Sequence, residues 1–336
     1  MSKRLTGLAV LAFLGASSAH LLAAPAAQHA TGDTFAKPHQ LVDVGGRKMN
    51  LYCSGQGATT VVFDAPSGDA GWTWFRVQPA VAIHTRACVF DRAGLGFSDP
   101  AKRPKTSENV ADDLHKLLAT AGVKPPYVMV GNSLGGANVQ VYAYRYPNEV
   151  KGLVLVEPAN EDGDERLDKA SGGNLKKALA MAPQQNNYCL AAAQKGMKSG
   201  SEELKNCIGN PADVYGPVLG AAVQSVTSKP AYWRAVIDEG DAMQASGEQL
   251  RKLRRPFGDM PVLVLTRGVS PYAVPGKPQS ALNKATEDEN FAIQKETAAL
   301  STRGKQRVVP GAGHVIQADK PEAVVEAVLD VLNQVK

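Results

Sequence analysis

The sequence predicts an α/β protein, a mostly parallel sheet covered on both faces by helices, with one long all-helical insertion. Three observations point there. Short apolar runs alternate with segments of helical spacing over residues 40–157 and again from 260 onward, the rhythm produced by strands joined through crossover helices. Over 158–259 that alternation stops, and the chain reads as helices separated by Gly, Ser, Asn and Pro. Residues 127–144, YVMVGNSLGGANVQVYAY, pass from a buried strand through a glycine-flanked serine into a helix stopped by Pro147. An insertion between two strands of such a sheet reads as a lid over the strand ends, where ligands bind.

The elements follow in order. Lys3 and Arg4 precede an apolar run, 5–14, and then small residues, the layout of a secretory signal peptide. Ala24-Pro25-Ala26 is the better cleavage site and Ser17-Ser18-Ala19 the other, so residues 1–26 are expected to be removed. The run is short and broken by Gly15 and His20, poor material for a spanning helix. The expectation is a secreted or periplasmic protein without stable membrane insertion. A polar linker to about Lys37 leads to strands at 40–44 and 48–53, joined by Gly45-Gly46. Next come a buried strand at 59–65, a loop at 66–71, a helix at 72–83, a strand at 87–91 and a glycine-rich turn at 91–99. A helix at 107–121, with Val110, Leu114, Leu117 and Leu118 on one face, precedes the central stretch, and a strand at 152–156 follows it. Beyond the insertion lie a strand at 260–266, a helix at 286–300, a strand at 306–309 and an amphipathic helix at 321–335. The expected division is a core of 38–157 and 260–336 around an insertion of 158–259.

The 336 residues are 44% hydrophobic and 21% charged, ordinary for a soluble globular protein. Without Lys3 and Arg4 the 37 basic residues become 35, against 32 acids. That excess is too small to argue for nucleic acid or a charged membrane surface as partner. The basic run at 251–255 reads as the end of a solvated helix. Cys53, Cys88, Cys189 and Cys207 make two disulfides the default in an exported chain. Three pairings are open. Placement in two early strands favours Cys53–Cys88, and placement 18 residues apart in one helical region favours Cys189–Cys207. No cysteine has a Cys or His neighbour at ligand spacing, so no metal site is expected.

The strand–Gly–x–Ser–x–Gly–helix pattern is the context of a nucleophile elbow, which makes Ser133 the candidate nucleophile. A side chain at Gly131 or Gly135 is expected to collide with the neighbouring strand or helix. A serine hydroxyl needs a base, and imidazole suits that task near neutral pH. Of six histidines, His314 alone sits in a glycine-rich loop, Gly311-Ala312-Gly313-His314, after the last strand and at the sheet edge of the elbow. The acid that fixes the imidazole is expected at Glu157, which ends the strand before the insertion. Glu287, Asp288 and Glu289, taken as the start of a helix, are the alternatives. The oxyanion is expected to be held by the backbone N–H groups of Leu134 and Ser67, because Pro66 has none to give. Asp69 reads as a loop residue.

With these pieces the chain resembles an α/β-hydrolase with a helical cap, similar to exported serine esterases and to the prolyl-aminopeptidase-like branch. The matching segments are DRAGLGFSD at 91–99, VGNSLGG at 130–136, LVLVEPA at 153–159 and GAGHVIQADKP at 311–321. The resemblance implies an eight-stranded sheet, a catalytic triad, no cofactor and a structural role for the 91–99 turn. It also makes the strands of Cys53 and Cys88 neighbours. A serine at the elbow argues against the dehalogenase and epoxide-hydrolase branches, which carry aspartate there. Two features depart from many relatives: Pro66 in place of glycine, and the acid at Glu157 rather than after the strand that ends at Thr266.

The expected activity is hydrolysis of a small-molecule carboxylic ester. One alternative is an aminopeptidase using Glu161, Asp162, Asp164, Glu165, Glu239 or Asp241 to hold an ammonium; the other is a catalytically silent binding module. Tyr188, Tyr215, Tyr232 and Trp233 suggest either an acyl pocket or the lid's own core.

Overall fold

A computed structural model describes residues 32–274 and 276–335; the expected signal segment therefore lies outside the described residues. Eight strands form one sheet in the order β1-β2-β4-β3-β5-β6-β7-β8. They are β1 (Gln40–Asp43), β2 (Lys48–Ser54), β3 (Thr60–Asp64), β4 (Arg86–Phe90), β5 (Tyr127–Asn132), β6 (Val150–Val156), β7 (Val262–Arg267) and β8 (Lys305–Val309). β1 and β2 pair antiparallel, as do β2 and β4, and the other neighbours are parallel. This is the α/β-hydrolase fold that the sequence predicts.

The alternation of side chains along each strand sorts the core into two layers. Val61, Phe63, Val128, Val130, Val154 and Val156 pack on one face. Val62, Met129, Leu153 and Leu155 pack on the other. Every residue of β3 and β5 is buried, as expected of central strands covered on both sides. In register, Cys53 stands opposite Cys88, and these two form a disulfide, as do Cys189 and Cys207.

Several boundaries differ from expectation for identifiable reasons. The helix expected at 72–83 splits into a 3₁₀ turn, Gly71–Trp74, and α1 (Gln78–Ala82). A continuous helix would drive the ring of Pro79 into the carbonyl of Phe75, four residues back. The polar linker is not all outside the fold, since Phe35 is buried and packs edge-on against Tyr52. α2 (Ser107–Thr120) and α3 (Leu134–Arg145) lie where the sequence puts them.

Between β6 and β7 every regular element is helical: α4 (Gly163–Ala170), α5 (Asn174–Leu179), α6 (Ala182–Lys195), α7 (Glu202–Cys207), α8 (Ala212–Tyr215), α9 (Pro217–Thr227) and α10 (Pro230–Leu253). α11 (Ala281–Ala298) starts five residues before its expected position because Ser280 caps it, accepting from the amide of Asn283. α12 (Ile316–Asp319) and α13 (Pro321–Gln334) end the chain. Among the described residues, no helix is long and apolar enough to cross a membrane.

Candidate active site

The elbow is built by steric necessity. A Cβ at Gly131 would lie 2.2 Å from the carbonyl oxygen of Gly135, and one at Gly135 would lie 2.5 Å from those of Asp64 and Ala65. Strand and helix therefore close onto each other only with glycine at both positions. Ser133, between them, has φ +54°, and Glu157, just past β6, has φ +46°. These are the two non-glycine residues with positive φ among those described. Such strain persists where the surroundings over-determine it, and it clusters at functional sites. Here the amide of Ser133 donates to Val156 and that of Glu157 to Leu265, locking both residues to the neighbouring strand.

His314 and Glu157 come together. Glu157 is buried, and its Oε2 lies 3.5 Å from Nδ1 of His314, whose ring is about a quarter exposed (26%). That separation is longer than an ideal hydrogen bond, as is common before substrate tightens a site. Asn132 ties the pair to the elbow. Its Nδ2 donates to the carbonyls of Val156, at 2.8 Å, and His314, at 3.1 Å, while its Oδ1 accepts from Gln317 at 3.1 Å. The histidine loop is anchored on both sides, Gly313 donating to Asp319 and Gly268 and Val269 donating to Ala312. The alternative acids are engaged elsewhere: Glu287 with Arg267, Asp288 with Lys284 and Glu289 with Arg166. They also lie in the second turn of α11 or beyond, not at its start.

Arg267 was not foreseen. Its amide donates to Glu157 Oε1 and its Nη1 to Oε2, both at 2.8 Å, while Glu287 grips the far side of the guanidinium. Burial alone would raise the carboxyl pKa of Glu157, but the His314 hydrogen bond and the Arg267 charge bring it below the ordinary value. Glu157 is thus held as a carboxylate, the form that can orient an imidazole and stabilise its cation. The sequence carries no sign of Arg267, because its meeting with Glu157 depends on the register of β6 against β7.

Leu134 opens α3, so its amide is among those that lack an intrahelical acceptor. Ser67 lies in the loop after β3, and its hydroxyl donates to Glu239 Oε2 at 3.0 Å. Asp69, read as a plain loop residue, is more than that. It accepts from the amide of Ala70, from Trp72 Nε1 at 2.6 Å and from the hydroxyl of Tyr215 at 3.3 Å. Burial nevertheless raises its pKa above the usual carboxylate range. Of the insertion aromatics, Tyr232 donates to the carbonyl of Gly68, Trp233 is buried within the insertion and Tyr188 is exposed. Asp91 accepts from the amides of Gly71 and Phe97 and from Asn50, a structural brace for its turn. Among the described residues no cluster of His, Cys, Asp and Glu is placed to hold a metal ion.

Comparison with known proteins agrees with this architecture. Residues 53–197 match the family described as alpha/beta hydrolase fold. The uncharacterized protein YbdG of Bacillus subtilis is 32% identical over 119 residues, which cover 35% of this chain and 37% of that protein. The chain thus matches well under half the length of that relative. An AB hydrolase superfamily protein of Gibberella zeae is 23% identical over 286 residues, covering 78% of this chain and 83% of its own. Among solved structures, a thermophilic esterase from Thermogutta terrifontis superposes with a TM-score of 0.55 at 19% identity, covering 86% of this chain and 94% of that one.

Proposed function

We propose that this chain, which has the alpha/beta hydrolase fold, is a serine hydrolase that cleaves carboxylic esters through an acyl-enzyme on Ser133. The observation that supports this most directly is the buried Glu157 carboxylate facing Nδ1 of His314, with Asn132, the residue before Ser133, donating to the carbonyl of His314. In the reading, the Ser133 hydroxyl attacks the acyl carbon as His314 takes its proton. The oxyanion is received by the amides of Leu134 and Ser67. The tetrahedral adduct collapses, and the imidazolium returns the proton to the departing alcohol. Water, deprotonated by His314, then attacks the acyl-enzyme; Ser133 regains its proton and the carboxylate leaves. Glu157 holds the imidazole tautomer and its charged form throughout. No cofactor enters.

The solved esterase from Thermogutta terrifontis, of the same fold, is in keeping with ester chemistry. Three of the six acids considered for an aminopeptidase are engaged by cations of the chain. Glu239 is already neutralised by Arg92 and Lys105, Glu161 pairs with Arg254, and Asp162 pairs with Arg251. Two disulfides accord with an oxidising compartment and so with export.

Hydrolysis of p-nitrophenyl esters from acetate to palmitate, beside proline p-nitroanilide, tests the reading. Ser133→Ala is expected to lower ester turnover by about a thousandfold or more with Tm retained, and a fluorophosphonate is expected to label Ser133. Ester turnover that survives in Ser133→Ala would rule out the acyl-enzyme, and anilide turnover with little ester activity would favour the peptidase.

A further inference from the structure

We propose that Glu239, on the longest helix of the insertion, is the positioning residue that sets the oxyanion loop, so that docking of the insertion and formation of the oxyanion hole are one event. This rests on the ester-hydrolase reading. The loop after β3 is gripped from two directions. The Arg92 guanidinium donates to the carbonyls of Ala65, at 2.6 Å, and Pro66, at 2.7 Å. Glu239 Oε2 accepts from the amide of Gly68, at 2.8 Å, and from the Ser67 hydroxyl, at 3.0 Å.

Peptide planarity converts these contacts into an orientation. The Pro66 carbonyl and the Ser67 N–H belong to one trans peptide and point in opposite directions. Fixing the carbonyl on Arg92 therefore aims the Ser67 N–H away from it. The next peptide is fixed by its own N–H on Glu239. Arg92 in turn takes its orientation from Glu239, with Nε 2.8 Å from Oε1, and from Asp64, with Nη1 2.5 Å from Oδ1. Tyr232, on the same helix, binds the Gly68 carbonyl at 2.9 Å.

The charges are complementary across the joint. Arg92, Asp64 and Glu239 side chains are each 1% exposed and Lys105 is 2% exposed, with its Nζ 3.1 Å from Glu239 Oε1. The core supplies two cations and one anion, and the insertion supplies the second anion. Without Glu239 the core holds an uncompensated buried charge, and the Ser67 peptide loses the group that orients Arg92. The acid serves the loop, not the substrate.

Glu239→Gln keeps the shape and removes the charge. Glu239→Asp keeps the charge balance, so that the fold survives, and withdraws the oxygens from Gly68. Both variants are expected to lower kcat for p-nitrophenyl esters by about tenfold to a hundredfold, with KM changed less than about threefold. Affinity for a trifluoromethyl ketone, whose adduct with Ser133 places an oxyanion in the same hole, falls by the same factor as kcat. Ser246→Ala is the control. It removes the acceptor of the Ser107 amide from the same helix, and is expected to lower Tm without either kinetic change. Wild-type kcat and ketone affinity in the Glu239 variants would overturn this inference alone, as would equal kinetic losses in Ser246→Ala. Absence of ester turnover in the wild type overturns the ester reading, and this inference with it.

Discussion

The core and the helical insertion are held by different balances of force. In the core, two apolar layers cover both faces of the sheet, and β3 and β5 have no exposed residue. The insertion has one small apolar cluster of its own, Cys189, Ala193, Leu204, Cys207, Ile208 and Trp233, while its Tyr215, Leu219, Val223 and Val226 join one layer of the core and Leu250 the other. α5 buries no residue, and α4 buries only Gly163. To this packing the insertion adds a disulfide and charged contacts to the core, among them Arg166 to Glu289 and Glu296, and Glu239 to Arg92 and Lys105. Exposed pairs of this kind contribute little, whereas breaking a buried one costs several kcal/mol. Apolar burial, being non-directional, makes the core stable. Hydrogen-bonded charges make the position of the insertion specific.

Substitutions in the two regions should therefore fail differently. Leu155→Ala, at a fully buried position in β6, is expected to cost about 2–5 kcal/mol by lost transfer energy and the cavity left behind. In urea the whole transition should shift, by fluorescence and circular dichroism alike. Cys189→Ser with Cys207→Ser opens a bridge spanning 18 residues, expected to cost about 3 kcal/mol. That loss should stay local: hydrogen exchange is expected to quicken over 182–215 while the urea midpoint of the sheet holds. A double variant whose sheet midpoint fell as far as that of Leu155→Ala would break the distinction, making insertion and core one cooperative unit.

What was legible in the sequence divides along the same line. The elbow could be read because sterics forces its glycines, and the strand faces because alternation follows the pleat. Glu157 was legible as an acid at a strand end. Arg267, which brackets it, was not, since only the offset of β6 against β7, with Val156 opposite Leu265, brings them together. Two boundary signals are present in the sequence: Pro79, which forbids a continuous helix over 72–83, and Ser280, which caps α11. Glu239 is the opposite case. On a helix whose other acids face solvent it looks like one more solvated carboxylate, and its partner Arg92 lies 147 residues away. Long-range charge pairing has no periodicity, so local patterns cannot reveal it.

That joint has a pH signature. Burial would raise the pKa of Glu239, but Arg92, Lys105 and the Gly68 amide bring it down from 4.5 to about 2. A carboxyl whose folded pKa is depressed contributes stability above its unfolded value and loses it as pH falls through the folded one. The contribution is thus complete above about pH 4.5 and fades toward pH 2. Asp64 is shifted the other way by burial, and the Glu239 charge adds to that shift, so the difference between wild type and Glu239→Gln reads the coupled pair. The Tm gap between wild type and Glu239→Gln is expected to narrow as pH falls from 4.5 to 2, where the wild-type carboxyl also becomes neutral. Calorimetry across that range checks it. A gap that stayed flat down to pH 2 would mean that Arg92 and Lys105 do not hold Glu239 ionised, and that apolar packing alone docks the insertion.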